Sequence, residues 1–211
     1  MERRLLTYFA KSLPRSLSPN HLTALGLLGA AGAGVFFVAS VFSPRFLPFA
    51  ALSLALNWFG DSLDGTLARY RGIERPRSGF FLDHSVDVLA QILIFFGLGL
   101  SPYMRFDVAC LALLSYWLAA LYSFIRAVAA GLFQISYFGI GPTEIRLGLI
   151  AYTVVVWALG PLRMASPIGP VTPIDIIVPL IFATVFLAYV AAIPPEARRL
   201  AALDALRGSR D

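Results

Sequence analysis

Charged side chains are scarce in this 211-residue chain: Asp, Glu, Lys and Arg together make up 14% of it, whereas hydrophobic residues make up 58%. Because charged residues contribute about 25% of an ordinary soluble domain, this composition argues against a soluble protein and favours an integral membrane protein. Lysine is nearly missing, since Lys11 is the only one, and arginine therefore carries most of the net charge of +5. The arginines flank apolar segments, which favours anionic lipid headgroups over nucleic acid as their partner.

Cysteine and histidine are also rare, with one cysteine and two histidines in the chain. Cys110 lies within an apolar run and has no second cysteine to pair with, so we expect a buried, inert thiol. No cluster of cysteine and histidine has the spacing of a zinc site. A metal site in this chain would therefore be built from oxygen ligands.

Six apolar segments are long enough to cross a bilayer, which takes about 20 residues each. Serine, proline and glycine residues that favour turns separate them. The sequence therefore predicts an all-α membrane bundle of six transmembrane helices within residues 21–194. The predicted spans are Leu22–Phe42, Phe46–Arg69, Gly79–Leu100, Phe106–Leu132, Thr143–Leu162 and Ile174–Ile193.

The basic residues are distributed unevenly between the two sides of the predicted bundle. Residues 1–20 are basic and mildly amphipathic, and we expect them to form a short helix on the membrane surface. The loop after the second span and the tail 195–211 are also rich in arginine, whereas the opposite side has only Arg45, Arg105 and Arg163. Because cytoplasmic loops carry an excess of arginine and lysine, we predict a cell-membrane protein with both termini in the cytoplasm.

Four carboxylates lie close together around the loop between the second and third spans. Asp61 and Asp64 are three residues apart, and Asp83 and Asp87 are four apart. Each spacing places a pair on one helix face, and the short connecting loop makes the two helices antiparallel neighbours. The four carboxylates are therefore expected to converge just inside the cytoplasmic boundary.

Such a cluster needs something to offset its charge. Unpaired carboxylates repel one another and are costly to bury, so either protonation or divalent cations must reconcile them. Oxygen ligands without histidine or cysteine favour Mg²⁺, Mn²⁺ or Ca²⁺. Metals held in this way commonly bind a diphosphate and stabilise charge on attacking and leaving oxygens.

Small residues and an arginine are interleaved with these carboxylates. Gly65 and Ala68 follow Asp64, and a helix face without side chains leaves room for a flat group against the backbone. Arg69 could pair with a phosphate through its planar guanidinium. Taken singly, such a glycine is more often a helix-packing residue, and such an arginine is usually an anchor at the membrane interface.

The whole pattern resembles the motif of the CDP-alcohol phosphotransferases, a family of integral membrane enzymes that form phospholipid headgroup linkages. In this chain the pattern reads DSLDGTLAR over residues 61–69 and, after nine further residues, GFFLDHSVD over residues 79–87. The resemblance implies a transferase that uses one or two Mg²⁺ or Mn²⁺ ions. It identifies Asp83 and Asp87 as catalytic residues, with Asp87 as the general base. The metal ligands that it implies are Asp61, Asp64, Asp83 and Asp87.

The resemblance also implies a nucleotide site. Gly65, Ala68 and Gly79 would open the cytidine pocket, and Arg69 would bind the diphosphate. The segment SPNHLT, residues 18–23, resembles the Pro-Asn-x-x-Thr found before the first span of many family members. That match places Asn20 and Thr23 near the nucleotide. The alternative is that Ser18 or Asn20 caps the first span.

Two further arginines in the predicted spans are candidates for binding the acceptor. The surroundings of Arg126 and Arg146 loosely resemble the inositol-phosphate phosphatidyltransferase branch, in which basic residues bind the acceptor's phosphate. This resemblance implies transfer from CDP-diacylglycerol, or a related CDP-lipid, to a phosphorylated polyol such as inositol phosphate or glycerol 3-phosphate, with release of CMP. It also implies a homodimer. Internal ion pairing, for example of Arg146 with Glu144 or with a motif aspartate, is the alternative.

Other functions stay open at this point. The segment FLDHSVDVL, residues 81–89, also resembles a motif of the choline and ethanolamine phosphotransferases, which use a CDP-alcohol and diacylglycerol. A cation-coupled transporter would use aspartates within its spans as well, but it favours broken helices and repeat symmetry. An aspartate-rich membrane prenyltransferase would share the metal and the diphosphate.

Overall fold

The computed structural model describes residues 2–130, 141–165 and 171–208, and most of them are helical. A 3₁₀ turn, Pro44–Phe46, precedes the third helix. Within the described ranges no β-strand forms, and an isolated bridge joins Met164 to Val171. The predicted all-α class is therefore confirmed. The seven α-helices are α1 (Glu2–Ser12), α2 (Pro19–Ala39), α3 (Leu47–Arg71), α4 (Ser78–Gly99), α5 (Phe106–Ala130), α6 (Pro142–Leu159) and α7 (Pro173–Gly208).

Helices α2 to α7 lie where the six spans were predicted. In the described part of the chain, five of them, α2, α4, α5, α6 and α7, are long and apolar enough to cross a membrane. Helix α3 has 25 residues and falls short on composition, because Asn57 lies near its middle and Asp61, Asp64 and Arg69 lie in its C-terminal half. The helices indicate a multi-pass membrane protein, whereas the prediction of six transmembrane helices is not confirmed.

Two predicted boundaries differ from the structure or lie beyond it. The last span was predicted to end at Ile193, but α7 continues through Pro194 and Pro195 to Gly208. The residues after this span therefore extend the helix, and the division of the chain at residues 20 and 195 stays a prediction. The predicted end of the fourth span, Leu132, lies outside the described residues.

The N-terminal segment contains helix α1, which is tied to the rest of the bundle, while its location on the membrane surface stays a prediction. Arg71, at the end of α3, donates hydrogen bonds to the carbonyl oxygens of Leu13, Pro14 and Leu17 in the linker between α1 and α2. Helix α1 also shares an apolar cluster with α2 and α3. The buried members of this cluster are Leu6, Ala10, Leu22, Leu63 and Leu67.

Glycines allow α2 to approach both α3 and α4 closely. A Cβ added to Gly60 would lie 2.5 Å from the backbone nitrogen of Gly26, and one added to Gly97 would lie 2.4 Å from the Cα of Gly34. Both distances are too short for any side chain. Small residues at such crossings let helix backbones pack directly in a membrane. The crossings hold α3 and α4 against α2, with the four aspartates between them.

Replacing Gly97 with alanine should therefore destabilise the bundle. The new methyl group would meet backbone atoms of Gly34, which cannot rotate away, and such overpacking costs about 1–3 kcal/mol. The free energy of unfolding in detergent measures this cost. Gly148→Ala in α6 is the matched control, because a Cβ there meets nothing within 4 Å. Equal stability of the two variants would contradict the close crossing.

Candidate active site

The four motif aspartates line one small pocket. Asp61 and Asp64 reach it from α3, and Asp83 and Asp87 reach it from the first turns of α4. Helix α2 closes the pocket with Thr23, Gly26 and Leu27. The convergence predicted from the spacing of the carboxylates is therefore present in the structure.

Asp64 is the most buried of these carboxylates and is held by neighbouring donors. Its side chain accepts a hydrogen bond of 2.6 Å from the Thr23 hydroxyl and one of 2.5 Å from the backbone N–H of Gly65. Thr23 therefore lines the pocket from α2 and binds a motif aspartate on α3. Because such a partner orients a carboxylate, Thr23 is able to fix which oxygen of Asp64 faces the pocket.

Arg146 pairs with two of the aspartates. Its Nη1 donates a short hydrogen bond to Asp61 Oδ2, and its Nη2 lies 2.9 Å from Asp87 Oδ1. The guanidinium is 8% exposed, so both ion pairs are largely shielded from water. The ion-pairing alternative for this residue is the arrangement seen here, with motif aspartates rather than Glu144 as partners.

The first turn of α6 positions Arg146. Glu144 accepts a hydrogen bond of 2.7 Å from the backbone N–H of Gly141, and Pro142 begins the helix. Proline is favoured at the first helical position, and a glutamate three residues after the cap satisfies a backbone donor there. This fixed helix start directs the side chain of Arg146 toward α3 and α4, where Asp61 and Asp87 lie.

Asn57 adds an unpaired oxygen to the pocket. Its amide nitrogen donates a 3.0 Å hydrogen bond to the carbonyl of Gly26, while its Oδ1 has no partner among the described residues. The side chain is 2% exposed and lines the same pocket as the aspartates. A buried polar atom without a partner costs free energy, so a ligand or water that donates to this oxygen would be stabilised.

These residues fit a divalent metal ion in chemistry. Carboxylate and amide oxygens are the ligands preferred by Mg²⁺ and Ca²⁺, and the orphaned Oδ1 of Asn57 adds one such oxygen beside the aspartates. As the described side chains stand, no three of them form a ready coordination shell. The position of Arg146 between Asp61 and Asp87 provides the physical reason, since it occupies oxygens that an ion would need.

Asp83 has a different neighbourhood from the other three carboxylates. Its Oδ2 lies 3.5 Å from His84 Nδ1. The His84 ring stacks on Phe80 with centroids 4.1 Å apart and meets the edge of Phe124 at 5.2 Å. The side chain of Asp83 is 40% exposed, compared with 21% for Asp61 and 22% for Asp87. It therefore lies at the more accessible side of the cluster.

The predicted nucleotide residues lie around the start of α2, the end of α3 and the start of α4. Asn20 is exposed and accepts a 2.5 Å hydrogen bond from Arg75, in the loop between α3 and α4. The Arg69 side chain folds back along α3, where its Nη2 donates to the Thr66 hydroxyl at 3.3 Å. A Cβ on Gly65 would lie 3.4 Å from the Arg69 guanidinium. Gly65 thus gives this arginine room to lie against the helix.

Gly79 and Ala68 are half-buried. A Cβ on Gly79 would meet one side-chain atom of Arg75 at an ordinary 3.7 Å, so packing within the chain does not require a glycine there. The space beside Gly79 is available to a ligand. The capping role considered for the segment 18–23 is also present, since Ser18 is the N-cap of α2.

Arg126 takes part in a cluster with residues of α7. Its Nε donates to Glu196 Oε1 at 3.1 Å, and Arg199 pairs with the same carboxylate at 3.0 Å. The Arg126 guanidinium also lies 5.8 Å from the centre of the Tyr122 ring. The sequence did not single out Glu196, because it lies beyond the predicted end of the last span.

The helices and the pocket together define a multi-pass membrane protein with a carboxylate centre enclosed by α2, α3 and α4. The family model for CDP-alcohol phosphatidyltransferases matches residues 16–193. The chain belongs to the CDP-alcohol phosphatidyltransferase family and is a transferase of that class. This assignment displaces the transporter and prenyltransferase alternatives.

Two known proteins are similar to this chain, one in sequence and one in fold. The chain is 36% identical over 116 residues to the archaetidylinositol phosphate synthase of Pyrococcus horikoshii, a match that spans 54% of this chain and 57% of that protein. The fold is similar to that of the Mycobacterium tuberculosis phosphatidylinositol phosphate synthase crystallised with CDP-DAG bound. That similarity has a TM-score of 0.64 at 23% identity and covers 89% of this chain and 91% of the other.

Proposed function

We propose that this protein transfers a phosphatidyl-type group from CDP-diacylglycerol, or a related CDP-lipid, to a hydroxyl of a phosphorylated polyol and releases CMP. The observation that carries the proposal is the gathering of Asp61, Asp64, Asp83 and Asp87 in one pocket of a chain from this family. The two named relatives are an archaetidylinositol phosphate synthase and a phosphatidylinositol phosphate synthase, and the second was solved with CDP-DAG bound. Inositol phosphate is therefore our first choice of acceptor, ahead of glycerol 3-phosphate.

The proposed cofactor is Mg²⁺ or Mn²⁺, as one or two ions held by the four aspartates. Bound there, the metal neutralises charge on the diphosphate and on the leaving CMP. Thr23 orients Asp64 toward this ligand, because its hydroxyl donates to one carboxylate oxygen. Asn57 presents a further buried oxygen from the wall formed by α3.

Asp87 is the proposed general base. The acceptor hydroxyl oxygen attacks the phosphorus that bears the lipid, a new P–O bond forms, and the bond from that phosphorus to the CMP oxygen breaks. The hydroxyl proton passes to an Asp87 carboxylate oxygen, and a base placed in this way contributes about 10²–10⁴-fold to a rate. Asp83, one turn earlier on α4, is the second catalytic carboxylate in this proposal.

The nucleotide is proposed to lie between the cytoplasmic halves of α2, α3 and α4. Gly65, Ala68 and Gly79 leave space for the cytidine, and Arg69 pairs with the diphosphate. Asn20 lies at the edge of this space and already accepts a hydrogen bond from Arg75. The Arg69 side chain is exposed and donates a long, 3.3 Å hydrogen bond to Thr66, so reorientation toward a phosphate is inexpensive.

The acceptor phosphate is proposed to bind at Arg126. This guanidinium shares the Glu196 carboxylate with Arg199, so two cationic side chains converge where an anion is accepted. A phosphate offers the same planar hydrogen-bond recognition to a guanidinium as a carboxylate does. Arg146 is the other predicted acceptor residue, and its contact with Asp87 keeps it beside the proposed base.

The proposed membrane arrangement has six spans, in which α3 is added to the five apolar helices. Its polar half packs against α2 and α6 within the bundle, so its carboxylates need not face lipid. The distribution of arginine and lysine supports a cell-membrane protein with both termini and the active site in the cytoplasm. Resemblance to the family supports a homodimer, which light scattering of the detergent-solubilised protein tests.

The proposed function is tested by measuring CMP release from CDP-diacylglycerol by purified protein with Mg²⁺ or Mn²⁺. The acceptor panel contains inositol phosphate, glycerol 3-phosphate, serine, free inositol and phosphatidylglycerol, with CDP-choline plus diacylglycerol as a separate arm. We expect release to depend on a phosphorylated polyol. Release only in the CDP-choline arm would instead identify a choline-type phosphotransferase, and no release in any arm would contradict the proposal.

Arg126→Gln should raise the KM for a phosphorylated acceptor by roughly tenfold or more, because a charge-assisted hydrogen bond is worth about 1.5–3 kcal/mol. The KM for CDP-diacylglycerol should change little, since the ion-pair partner of Arg126 is Glu196 on α7. Steady-state kinetics with each substrate varied in turn measure the two constants. Equal increases in both values, or no change in either, would exclude Arg126 from the acceptor site.

A further inference from the structure

Arg146 holds two of the four carboxylates that line the pocket and that would bind the proposed metal. Its guanidinium pairs with Asp61 and Asp87, one from each of the two helices that carry the motif. We infer that Arg146 is the counter-cation of the metal-free site and that it releases these carboxylates when a divalent cation binds. This inference rests on the proposed function, because it takes the four aspartates to be the metal site.

Because the Asp61 and Asp87 carboxylates are largely buried, they need a cationic partner when no metal ion is bound. Asp61 and Asp87 have side chains 21% and 22% exposed, and the guanidinium between them is 8% exposed. Breaking a buried ion pair by removing one partner is strongly destabilising, because the other charge stays uncompensated. Arg146 therefore stabilises the fold in the absence of metal and joins α6 to α3 and α4 beside the pocket.

The same contacts make Arg146 a competitor of the metal. Asp64 is satisfied by Thr23 and the Gly65 backbone, so it does not depend on the arginine. Asp61 Oδ2 and Asp87 Oδ1 are bound to Arg146, and these oxygens become available only when the guanidinium moves. A ligand that displaces a resident ion pair binds more weakly than it would to a free site, by the free energy of that pair.

Release of Arg146 would have two effects at once. It frees the Asp87 carboxylate, whose Oδ1 an ion pair now holds at 2.9 Å, so that its two oxygens can serve the metal and the acceptor hydroxyl. It also leaves a guanidinium within a side chain's length of the proposed base, where a phosphorylated acceptor must place its hydroxyl. Metal loading thereby prepares the site for the acceptor, and by linkage the two ligands strengthen each other's binding. Arg146 acts here as a positioning residue.

Titration of Mn²⁺ into the purified protein tests this inference, with free Mn²⁺ followed by electron paramagnetic resonance in the absence of nucleotide and acceptor. Arg146→Gln should bind Mn²⁺ about tenfold more tightly than the unsubstituted protein, or better, within the usual range of coupling between ligands. Arg146→Lys should fall between the two, because an ammonium is a point charge that lacks the forked geometry of the guanidinium. Arg105→Gln is the charge-matched control, since Arg105 pairs with Asp107 outside the pocket.

A purely structural role for Arg146 would loosen the site and weaken Mn²⁺ binding, so the direction of the change decides the outcome. Unchanged or weaker binding by Arg146→Gln overturns the inference while leaving the metal site in place. Should that variant not fold, Arg146→Lys decides, and affinity equal to that of the unsubstituted protein overturns the inference. Failure of every protein, the Arg105→Gln control included, to bind Mn²⁺ would overturn both the inference and the proposed cofactor.

Discussion

Replacing Asp87 with asparagine should reduce the rate of CMP release by about 10³-fold, within the range expected for loss of a general base. Asparagine has nearly the same shape as aspartate but cannot take the proton from the acceptor hydroxyl. The folded structure should persist, because Arg146 keeps its second partner, Asp61. Initial rates of CMP release and the thermal unfolding midpoint, measured on the same preparation, separate a catalytic loss from unfolding.

The control for this substitution is Asp107→Asn. Asp107 is an acidic residue at the start of α5 that pairs with Arg105, away from the pocket. We expect it to retain the activity of the unsubstituted protein. Substantial activity in Asp87→Asn, or in the double variant with Asp83→Asn, would exclude α4 as the source of the catalytic carboxylates.

Asp64→Asn should abolish metal binding and, with it, metal-dependent activity. This carboxylate is 7% exposed and does not contact Arg146, so its loss removes a ligand without freeing the competing guanidinium. Removal of a residue that orients a ligand lowers metal affinity by about 10–100-fold. We expect loss of the ligand itself to lower Mn²⁺ affinity by more than that. The same Mn²⁺ titration measures the change, and chelation of metal from the unsubstituted protein should reproduce the loss of activity.

Thr23→Val is the graded companion to that substitution. It keeps the shape of the side chain and removes the hydroxyl that donates to Asp64 at 2.6 Å. Its Mn²⁺ affinity should fall by about 10–100-fold, the usual cost of losing a partner that orients a ligand. A Thr23→Val protein that binds metal normally, together with an Asp64→Asn protein that does the same, would show that the ion lies elsewhere.

The convergence of the four carboxylates could be predicted from local spacing, because it depends on helix periodicity and a short loop. Residues three or four apart share a helix face, and Asp61 and Asp64 on α3 therefore meet Asp83 and Asp87 on α4. Helix type and approximate bounds followed in the same way from apolar segment length. These are properties that each stretch of chain carries by itself.

Contacts between distant segments could not be decided in the same way. Arg146 had two open roles, and only the packing of α6 against α3 shows that it pairs with Asp61 and Asp87. Glu196 was not considered as a partner of Arg126, since the last span was predicted to end at Ile193. A count of apolar residues does not show that a helix continues beyond its hydrophobic part.

The sequence pattern also did not reveal the position of Asn57 in the pocket. Asn57 lies four residues before Asp61 on the same face of α3, yet a single asparagine in an apolar segment is more often a helix-packing contact. The structure shows both roles in one side chain, because its nitrogen binds the Gly26 carbonyl while its oxygen stays unpaired in the pocket. Helix spacing alone cannot distinguish a satisfied amide from a half-satisfied one.

The central claim, that the four aspartates form one metal centre, is tested most directly by crystals grown with Mn²⁺ and a CDP-lipid and measured at the manganese absorption edge. The account predicts an anomalous peak at the pocket, roughly 2.0–2.6 Å from carboxylate oxygens of both α3 and α4, with Arg146 no longer paired to Asp61 and Asp87. A bound nucleotide with no anomalous peak among those carboxylates, and with both arginine pairs intact, would contradict it.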